Sequence, residues 1–496
     1  MTTTLTQQTT ELEKYFESFR KNILGIDQTF ESPYGEQPLV YADWIASGRL
    51  YRPIEEKLQQ RFGPMVGNTH SEASETGCTM TQAYHLAHAI IKKHVHANSD
   101  DVILTTGFGM TSALAKLQRI LGLKIPEKLM KFCDIPREER PVVFLTHMEH
   151  HSNQTPWLES LADVVVLEPD ENLMVNPKKL RVEIQKYADR KMKIGSFSAC
   201  SNVSGVITPF YELAQIMHEH GGYCFVDFAA SAPYVNIDMH PENELQRLDA
   251  IFFSPHKFLG GPGSSGVLIF NKKLYKNRIP DHPGGGTVKW TNPWGEHTYI
   301  DDIEIREDGG TPGFMQAIRA AMCIRLKEQM GVKKIQAREK ELLKRAFKGF
   351  SQIDGVFVLA QEAKERLGVI SFYVQGIHHN MVVRLLNDRF GIQVRGGCSC
   401  AGTYGHYLLH VDREMSRRIT EKINSGDLSE KPGWVRLSLH PTMTNAELDY
   451  ILKSLETVVT NARKWKDDYV YNRHTGEFDH KDDQGKCEMI SRWFEL

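Results

Sequence analysis

The sequence contains little cysteine and no long apolar run. Eight cysteines among 496 residues predict a reduced compartment rather than a disulfide framework. No apolar segment approaches the roughly 20 residues that a membrane span needs. The Thr- and Gln-rich stretch 1–10 lacks the basic and apolar segments of a signal peptide. We therefore expect a cytoplasmic protein without a membrane partner.

The chain also lacks an excess of charge of either sign, internal repeats and low-complexity tracts. Its 60 basic and 62 acidic residues leave a formal charge of −2, so the charge balance does not indicate a nucleic-acid partner. Apolar residues make up 41% and charged residues 25%, which is typical of a globular protein.

The pattern of apolar residues changes along the chain. Short apolar strands alternate with amphipathic helices between about 69 and 270, which indicates an α/β fold with a largely parallel sheet. Beyond about 330, a long charged helix leads into mixed strands and helices. We predict four parts: an N-terminal segment packing with the small domain over 1–60, a large domain over 61–330, a small α+β domain over 331–464 and a tail over 465–496.

Two charged residues directly follow apolar strands, at the edge where such sheets carry their functional residues. Lys257 ends the motif Ser254-Pro255-His256-Lys257. It either reaches solvent or forms an imine with an aldehyde cofactor, since burial lowers the pKa of an amine. Asp227 follows the strand at 223–226. It either caps a helix or faces the ring nitrogen of pyridoxal phosphate (PLP).

Two loops between strands and helices suit a phosphorylated aromatic ligand. The turn Thr105–Ser112 opens a helix, where backbone amides favour phosphate. The segment Glu149–Asn153 carries His150 and His151, and a histidine there could stack on a ring and transfer protons. Together with His147, this pair also suggests a metal site. However, no cluster of carboxylates or thiols accompanies the three histidines at the spacing of metal ligands.

A Gly-rich loop and a charged strand complete the set of unusual residues. The loop Arg395–His406 holds Cys398 and Cys400 beside two basic side chains, which favour the thiolate form. The alternatives for this loop are a purely structural role or half of a metal site. A disulfide between two cysteines so close in sequence would be strained. Arg436 lies in an apolar strand, either in an ion pair or as a clamp for a substrate carboxylate.

The order of these motifs resembles the class V aminotransferase superfamily of fold-type I PLP enzymes, and most of all cysteine desulfurases and selenocysteine lyases. The resemblance covers about residues 39–460. It implies a large domain with a mainly parallel central sheet between helices, and a smaller α+β C-terminal domain. Its most specific parts are Glu149–Asn153, Ser201–Gly205, Val226–Asp227, Ser254–Lys257 and Arg395–His406.

The resemblance also implies roles for individual residues. Lys257 matches the Schiff-base lysine, Asp227 the partner of the ring nitrogen, and His151 the histidine that stacks on the ring. The resemblance further implies that the cofactor is contacted by Asn202, Ser254, His256, Gly107, Gly109, Thr111 and Thr311. It implies that the substrate is contacted by Arg436, Asn202 and Arg395. Thr311 matches a loop that reaches the partner subunit's phosphate, which implies a homodimer with its site at the subunit interface.

The implied reaction removes sulfur from L-cysteine, or selenium from selenocysteine, and leaves alanine. Cys400 matches the nucleophile that takes the sulfur as a persulfide. The resemblance also allows a sulfur-acceptor protein as a further partner. The chain departs from the family at Ala230, where Gln or His is usual, and at Phe108 and Gly109, where Thr is usual. Cys398 is a second thiol that could resolve or relay a persulfide, or do nothing.

Three alternatives stay open. Ala230 leaves room for another class V reaction, such as that of an aminotransferase, epimerase or lyase. The segments Gly284–Thr287 and Glu307–Gly310 fit a molybdenum-cofactor-sulfurase-like enzyme. A protein that keeps the fold only for binding is the third.

Overall fold

The computed structural model describes residues 9–482, 485 and 487–496, so the first eight residues of the predicted N-terminal segment lie outside the described residues. The α-helices are α1 Glu11–Arg20, α2 Arg52–Lys57, α3 Glu75–His94, α4 Met110–Ile120, α5 Glu127–Met130, α6 His151–Leu158, α7 Pro177–Glu183, α8 Phe210–Glu219, α9 Ile303–Arg306, α10 Phe314–Met330, α11 Val332–Phe350, α12 His379–Phe390, α13 Gly402–Leu408, α14 Arg413–Asn424, α15 Asn445–Trp465 and α16 Cys487–Arg492. The strands are β1 Thr29–Ser32, β2 Gly35–Pro38, β3 Val40–Tyr41, β4 Asp101–Thr106, β5 Val142–Thr146, β6 Asp163–Leu167, β7 Lys193–Ser198, β8 Tyr223–Asp227, β9 Ala250–Phe253, β10 Gly266–Asn271, β11 Val288–Thr291, β12 His297–Tyr299, β13 Val356–Val358, β14 Val369–Val374, β15 Ile392–Gln393, β16 Arg395–Gly397, β17 Trp434–Ser438, β18 Tyr469–Asn472 and β19 Glu477–His480.

A seven-stranded sheet forms the centre of the large region, in the order β4-β10-β9-β8-β7-β5-β6. Only β10 runs antiparallel to its neighbours. Along β5, Val142 and Phe144 belong to one hydrophobic core, whereas Val143 and Leu145 belong to another. The sheet is therefore covered on both faces, which explains why its strands are apolar throughout. The predicted α/β fold with a mainly parallel sheet is confirmed.

A second sheet of four antiparallel strands lies in the C-terminal region, in the order β13-β14-β17-β16. Helix α12 contacts β14, β16 and β17, and helix α15 packs against both α11 and α12. The N-terminal segment lies against this region, since β3 pairs in parallel with β15 and Arg20 forms an ion pair of 2.6 Å with Glu447. The four boundaries proposed from the sequence remain predictions.

The segment expected to lie as a tail over the surface contains a β-hairpin. Strands β18 and β19 pair over residues 469–480, which we call the C-terminal hairpin. The Tyr469 hydroxyl donates to Asp388 of α12 at 3.0 Å. The rings of Tyr471 and Phe478 lie 5.5 and 5.4 Å from that of His378, at the start of α12. Among the described residues, no helix has the length and apolar character to cross a membrane.

Candidate active site

A cavity of about 350 Å³ opens at the carboxyl ends of the parallel strands, and we call it the inner cavity. Strands that run parallel bring the residues following them to one edge of the sheet. The predicted site residues on its wall are Gly109, Thr111, Asn202, Asp227, Ser254, His256, Lys257, Arg395, Cys400 and Arg436. Most of the residues singled out in the sequence are therefore brought together, although they are spread over more than 300 positions.

Lys257 enters the inner cavity from a single 3-10 turn, Pro255–Lys257, directly after β9. The turn is closed tightly by Gly261, where a Cβ would lie 1.8 Å from the Pro255 carbonyl oxygen. Burial lowers the pKa of Lys257 to about 8, against an opposing effect of the Asp227 charge. A lysine with such a pKa supplies neutral amine near neutral pH, as imine formation requires.

Asp227 is the last residue of β8, and it is buried with 5% exposure. Its Oδ1 accepts a hydrogen bond of 2.7 Å from the Ala229 amide. Burial raises the pKa of this carboxyl to about 7, although the Lys257 charge opposes the shift. A carboxyl group and an amine buried in one cavity with shifted pKa values are typical of a functional site.

The residues before α6 are fixed by a buried carboxylate. Glu149 accepts hydrogen bonds from the Thr146 and Ser198 hydroxyls, both at 2.6 Å, and from the Asn153 amide at 2.7 Å. These bonds connect β5, β7 and α6 at one point. Burial nevertheless raises the pKa of Glu149. The position of His150, the next residue, is set by this network.

The structure places the two histidines differently, although the resemblance assigned the ring-stacking role to His151. His150, not His151, lines the inner cavity. His150 is the N-cap of α6, with an extended backbone, and its Nδ1 accepts from the Ser152 amide at 3.0 Å. His151 is the first helical residue, and its Nε2 accepts from the Gly402 amide at 2.9 Å. The two rings diverge because the backbone changes from extended to helical between them.

His150 is neutral in this environment. Burial lowers its pKa to about 3, and the Lys257 charge adds to the shift. Since Nδ1 accepts from a backbone amide, the proton of the neutral ring is assigned to Nε2. A neutral, uncharged ring can lie against an aromatic ligand without the cost of desolvating a charge.

The turn before α4 lines the same cavity. The Ser254 hydroxyl accepts from the Met110 amide at 2.9 Å, and His256 Nδ1 donates to the Phe108 carbonyl at 2.8 Å. A Cβ on Gly109 would lie 2.9 Å from the Ser254 hydroxyl oxygen, so glycine permits this approach. Gly107, with φ of 53°, shapes the turn but lies outside the cavity wall.

Arg436 both lines the cavity and takes part in an ion pair with Asp43, and its role as a clamp for a substrate carboxylate stays a prediction. Asp43 accepts from Arg436 at 2.8 Å and from Arg395 at 2.9 Å. Within the described part of the chain, the buried Nε of Arg436 has no hydrogen-bond partner. The sequence reasoning missed Asp43, although it follows an apolar strand in the same way as Asp227.

Cys398 and Cys400 lie in a tight turn, in which the Ala401 amide donates to the Cys398 carbonyl at 3.0 Å. Ser399 and Cys400 have φ of 50° and 56°, in the left-handed region that non-glycine residues seldom adopt. The turn is held from the large region: Asn202 donates to the Ser399 carbonyl at 2.7 Å, and the His151 amide donates to the Cys400 carbonyl at 2.7 Å.

Two predicted features lie elsewhere. Thr311 is exposed and lies outside the inner cavity of its own chain. Its hydroxyl donates to the Asn68 side chain at 3.1 Å. Glu307, from the segment that suggested a sulfurase, is buried and accepts from Lys116 at 2.8 Å and Tyr275 at 2.7 Å. Its environment is that of a structural ion pair. Ala230 lines the inner cavity and gives it no side-chain donor.

Comparison with known proteins gives consistent results. Two curated relatives are named "Probable cysteine desulfurase". The one from Halalkalibacterium halodurans is 29% identical over 370 residues, covering 73% of this chain and 84% of the relative. The one from Staphylococcus aureus is 29% identical over 369 residues, covering 73% and 83%.

Solved structures show the same fold. A cysteine desulfurase from Thermococcus onnurineus has a TM-score of 0.71 at 23% identity, covering 90% of this chain and 98% of its own. A cysteine desulfurase from Escherichia coli has a TM-score of 0.69 at 20% identity, with the same coverage of both chains. The Aminotransferase class-V family profile matches residues 40–451. The chain therefore belongs to the class V aminotransferase family.

Proposed function

We propose that this chain is a PLP-dependent enzyme that removes sulfur from L-cysteine, or selenium from selenocysteine, and leaves alanine. The observation that carries the proposal is that Lys257, Asp227 and Cys400 line one cavity. An amine that can form an imine, a buried carboxyl group and a nucleophilic thiol thus surround the same volume. The names of the curated relatives support this choice of substrate.

The residues present fit the cofactor. The cavity of about 350 Å³ lies within the range of about 300–1,000 Å³ that holds small ligands. Lys257 would bond the aldehyde carbon, Asp227 the ring nitrogen, and His150 would lie against the ring. Ser254, His256 and the amides of the turn before α4 would hold the phosphate. When bound, PLP withdraws electrons from the α-carbon of an amino acid.

Arg436 is the cation that we expect to bind the substrate carboxylate. Arg436 is buried, and its Nη2 is held by Asp43 at 2.8 Å, which leaves Nε without a described partner. A guanidinium group fixed in this way can bind the substrate carboxylate through its remaining donors. Arg395 also forms an ion pair with Asp43. Its side chain is 50% exposed, so it lies at the opening of the inner cavity.

The chain's own groups can then carry the proton and the sulfur. Neutral Lys257 accepts the α-proton of the substrate, consistent with its lowered pKa. The Cys400 thiolate attacks the substrate sulfur, so that a sulfur–sulfur bond forms as the carbon–sulfur bond breaks. Protonation of the carbon gives alanine, and the sulfur stays on Cys400 as a persulfide. Cysteine and the Cys400 thiol are together converted to alanine and persulfide, without an external oxidant.

A homodimer is part of the proposal. Thr311 is exposed and outside the inner cavity of its own chain. A contact between Thr311 and the phosphate therefore requires a second copy of the chain, whose loop would complete the site.

Another class V reaction is the second candidate, and Ala230 favours it. The inner cavity has no side-chain donor at this position, so the electronic properties of the bound ring would differ from those usual in the family. An aminotransferase needs a keto-acid acceptor, whereas the proposed reaction does not. Alanine produced from cysteine without a keto acid distinguishes the two.

The test is a product assay on the purified holoenzyme with L-cysteine and a reductant, but no keto acid. We expect alanine and sulfide in equal amounts. Cys400→Ser should lose both products while it keeps the visible absorbance of the bound cofactor. Cys133→Ser is the matched control, because Cys133 is an exposed free cysteine outside the cavity. Full activity of Cys400→Ser would rule out the role of Cys400.

A further inference from the structure

The turn that carries the two thiols separates two cavities. A second cavity of about 250 Å³, which we call the outer cavity, lies on the other side of the turn. Cys400 lines both cavities, whereas Cys398 lines only the outer one. Cys398 is half-buried and Cys400 is exposed. Cys400 thus shares the inner cavity with Lys257, whereas Cys398 shares only the outer cavity with Cys400.

The backbone of the turn keeps the thiols close together. Two trans peptide units limit the distance between the Cα atoms of Cys398 and Cys400 to about 7.6 Å, at about 3.8 Å each. The left-handed conformations of Ser399 and Cys400 are unfavourable for residues other than glycine and persist only where the surroundings enforce them. Asn202 and His151 provide this restraint through hydrogen bonds to the Ser399 and Cys400 carbonyls.

The C-terminal hairpin forms one wall of the outer cavity. Thr475, Gly476 and Glu477 line it, and Asn380 donates to the Gly476 carbonyl at 2.8 Å. This hairpin lies beyond residue 451, where the match to the family profile ends. The outer cavity therefore depends on a segment outside the shared family region.

The charges of the outer cavity suit an anionic sulfur. Lys431 and Arg395 line it, and cations beside a persulfide anion would stabilise its charge. The neighbouring His379 does not add to this charge, because burial lowers its pKa to about 3. Among the described residues that line the outer cavity, Glu477 is the one that carries a carboxylate.

We propose that Cys398 is a second sulfur carrier, which takes the sulfur from Cys400 and holds it in the outer cavity for a thiol acceptor. This inference rests on the proposed desulfurase function. The Cys398 thiolate attacks the terminal sulfur of the Cys400 persulfide, and the sulfur–sulfur bond to Cys400 breaks. Cys400 leaves as a thiolate, and the terminal sulfur with its proton stays on Cys398. The exchange needs neither an oxidant nor a reductant.

Transfer frees Cys400 for a second substrate molecule while the first sulfur is stored. The holoenzyme, mixed with L-cysteine without added reductant or acceptor, should therefore show a rapid burst of two alanines per active chain, followed by slow turnover in which the cysteine thiol itself takes the sulfur. Cys398→Ser should form one, and Cys400→Ser should form none. Cys133→Ser should form two, like the wild type. Intact mass spectrometry should find the same numbers of added sulfur atoms.

Each of the other outcomes has a distinct meaning. A wild-type burst of one alanine overturns the transfer but leaves the desulfurase function standing. Two sulfur atoms on Cys398→Ser also overturn it, because the second sulfur would then extend a chain on Cys400. No alanine from any form contradicts the desulfurase function itself.

A second measurement keeps the proposal testable if Cys398→Ser does not fold. Wild-type protein is loaded with cysteine, alkylated, digested and fragmented in the mass spectrometer. We expect added sulfur on both Cys398 and Cys400. Added sulfur on Cys400 alone would overturn the proposal.

Discussion

The inner and outer cavities meet at Cys400 but are built in different ways. The inner cavity is formed largely by residues at the carboxyl ends of strands of one sheet, such as Asp227 at the end of β8 and Lys257 in the turn after β9. The outer cavity is formed by a strained turn, the start of α12 and a hairpin beyond residue 451. A parallel sheet brings strand ends together whatever the loops do, whereas the outer cavity exists only if distant loops pack correctly.

The two cavities also differ in their electrostatics. In the inner cavity, burial lowers the pKa of Lys257 to about 8 and raises that of Asp227 to about 7. Such shifts show groups removed from water, as suits a held cofactor. The thiols are half-buried or exposed, as suits groups that must meet an acceptor. The comparison suggests that the inner cavity performs the reaction on the substrate and the outer cavity passes on the product sulfur.

The histidine pair gives the largest expected effect and the sharpest test of this division. His150 belongs to the inner cavity, and His151 bonds to the turn at Gly402. His150→Ala should lower the rate of alanine formation by about 10²-fold, because it removes the ring that would hold the cofactor in place and a misplacement of about 1 Å costs about that much. His151→Ala should lose less activity, because this substitution removes one hydrogen bond to the turn that carries the thiols. Steady-state assays of both variants provide the measurement, and a larger loss in His151→Ala would reverse the assignment.

The pH dependence of cofactor loading tests the inner cavity alone. Only neutral Lys257 can attack an aldehyde, so protonation at low pH slows loading. With a pKa of about 8, the neutral fraction rises about tenfold from pH 7 to pH 9 and then levels off. The rate is followed by the visible absorbance of apoenzyme mixed with PLP. A small amine of known pKa corrects for ionisation of the cofactor. A rate still rising steeply above pH 9 would indicate an ordinary, solvated lysine.

The strain in the turn gives the smallest effect. Ser399→Gly should raise the free energy of unfolding by about 0.5–1 kcal/mol, because glycine adopts φ of 50° without a steric cost. Ser351, at φ of −66°, is the matched control, and Ser351→Gly should lower stability by about 0.5–1 kcal/mol. Urea unfolding of the three proteins measures both changes. Equal destabilisation by both substitutions would show that the turn is not strained.

Much of the inner cavity could be predicted because its signals are local. An apolar strand followed at once by Asp227, or by the motif ending in Lys257, marks a sheet edge from the sequence alone. The alternation of strands and helices likewise predicted a mainly parallel sheet. The hairpins at 288–299 and 469–480 were not predicted, since their short, polar and partly exposed strands give no clear alternation.

The sequence by itself determined which chemical groups this protein has and which of them end strands, because the periodicity of apolar residues is a local property. Only the tertiary structure decided that His150 rather than His151 lines the inner cavity, that Asp43 joins two arginines, and that Cys400 lines both cavities while Cys398 lines only the outer one. These features depend on contacts between residues far apart in the chain, such as the bond from Asn202 to Ser399, 197 positions away. The direction of a side chain in a loop is set by such contacts, and no local pattern encodes them.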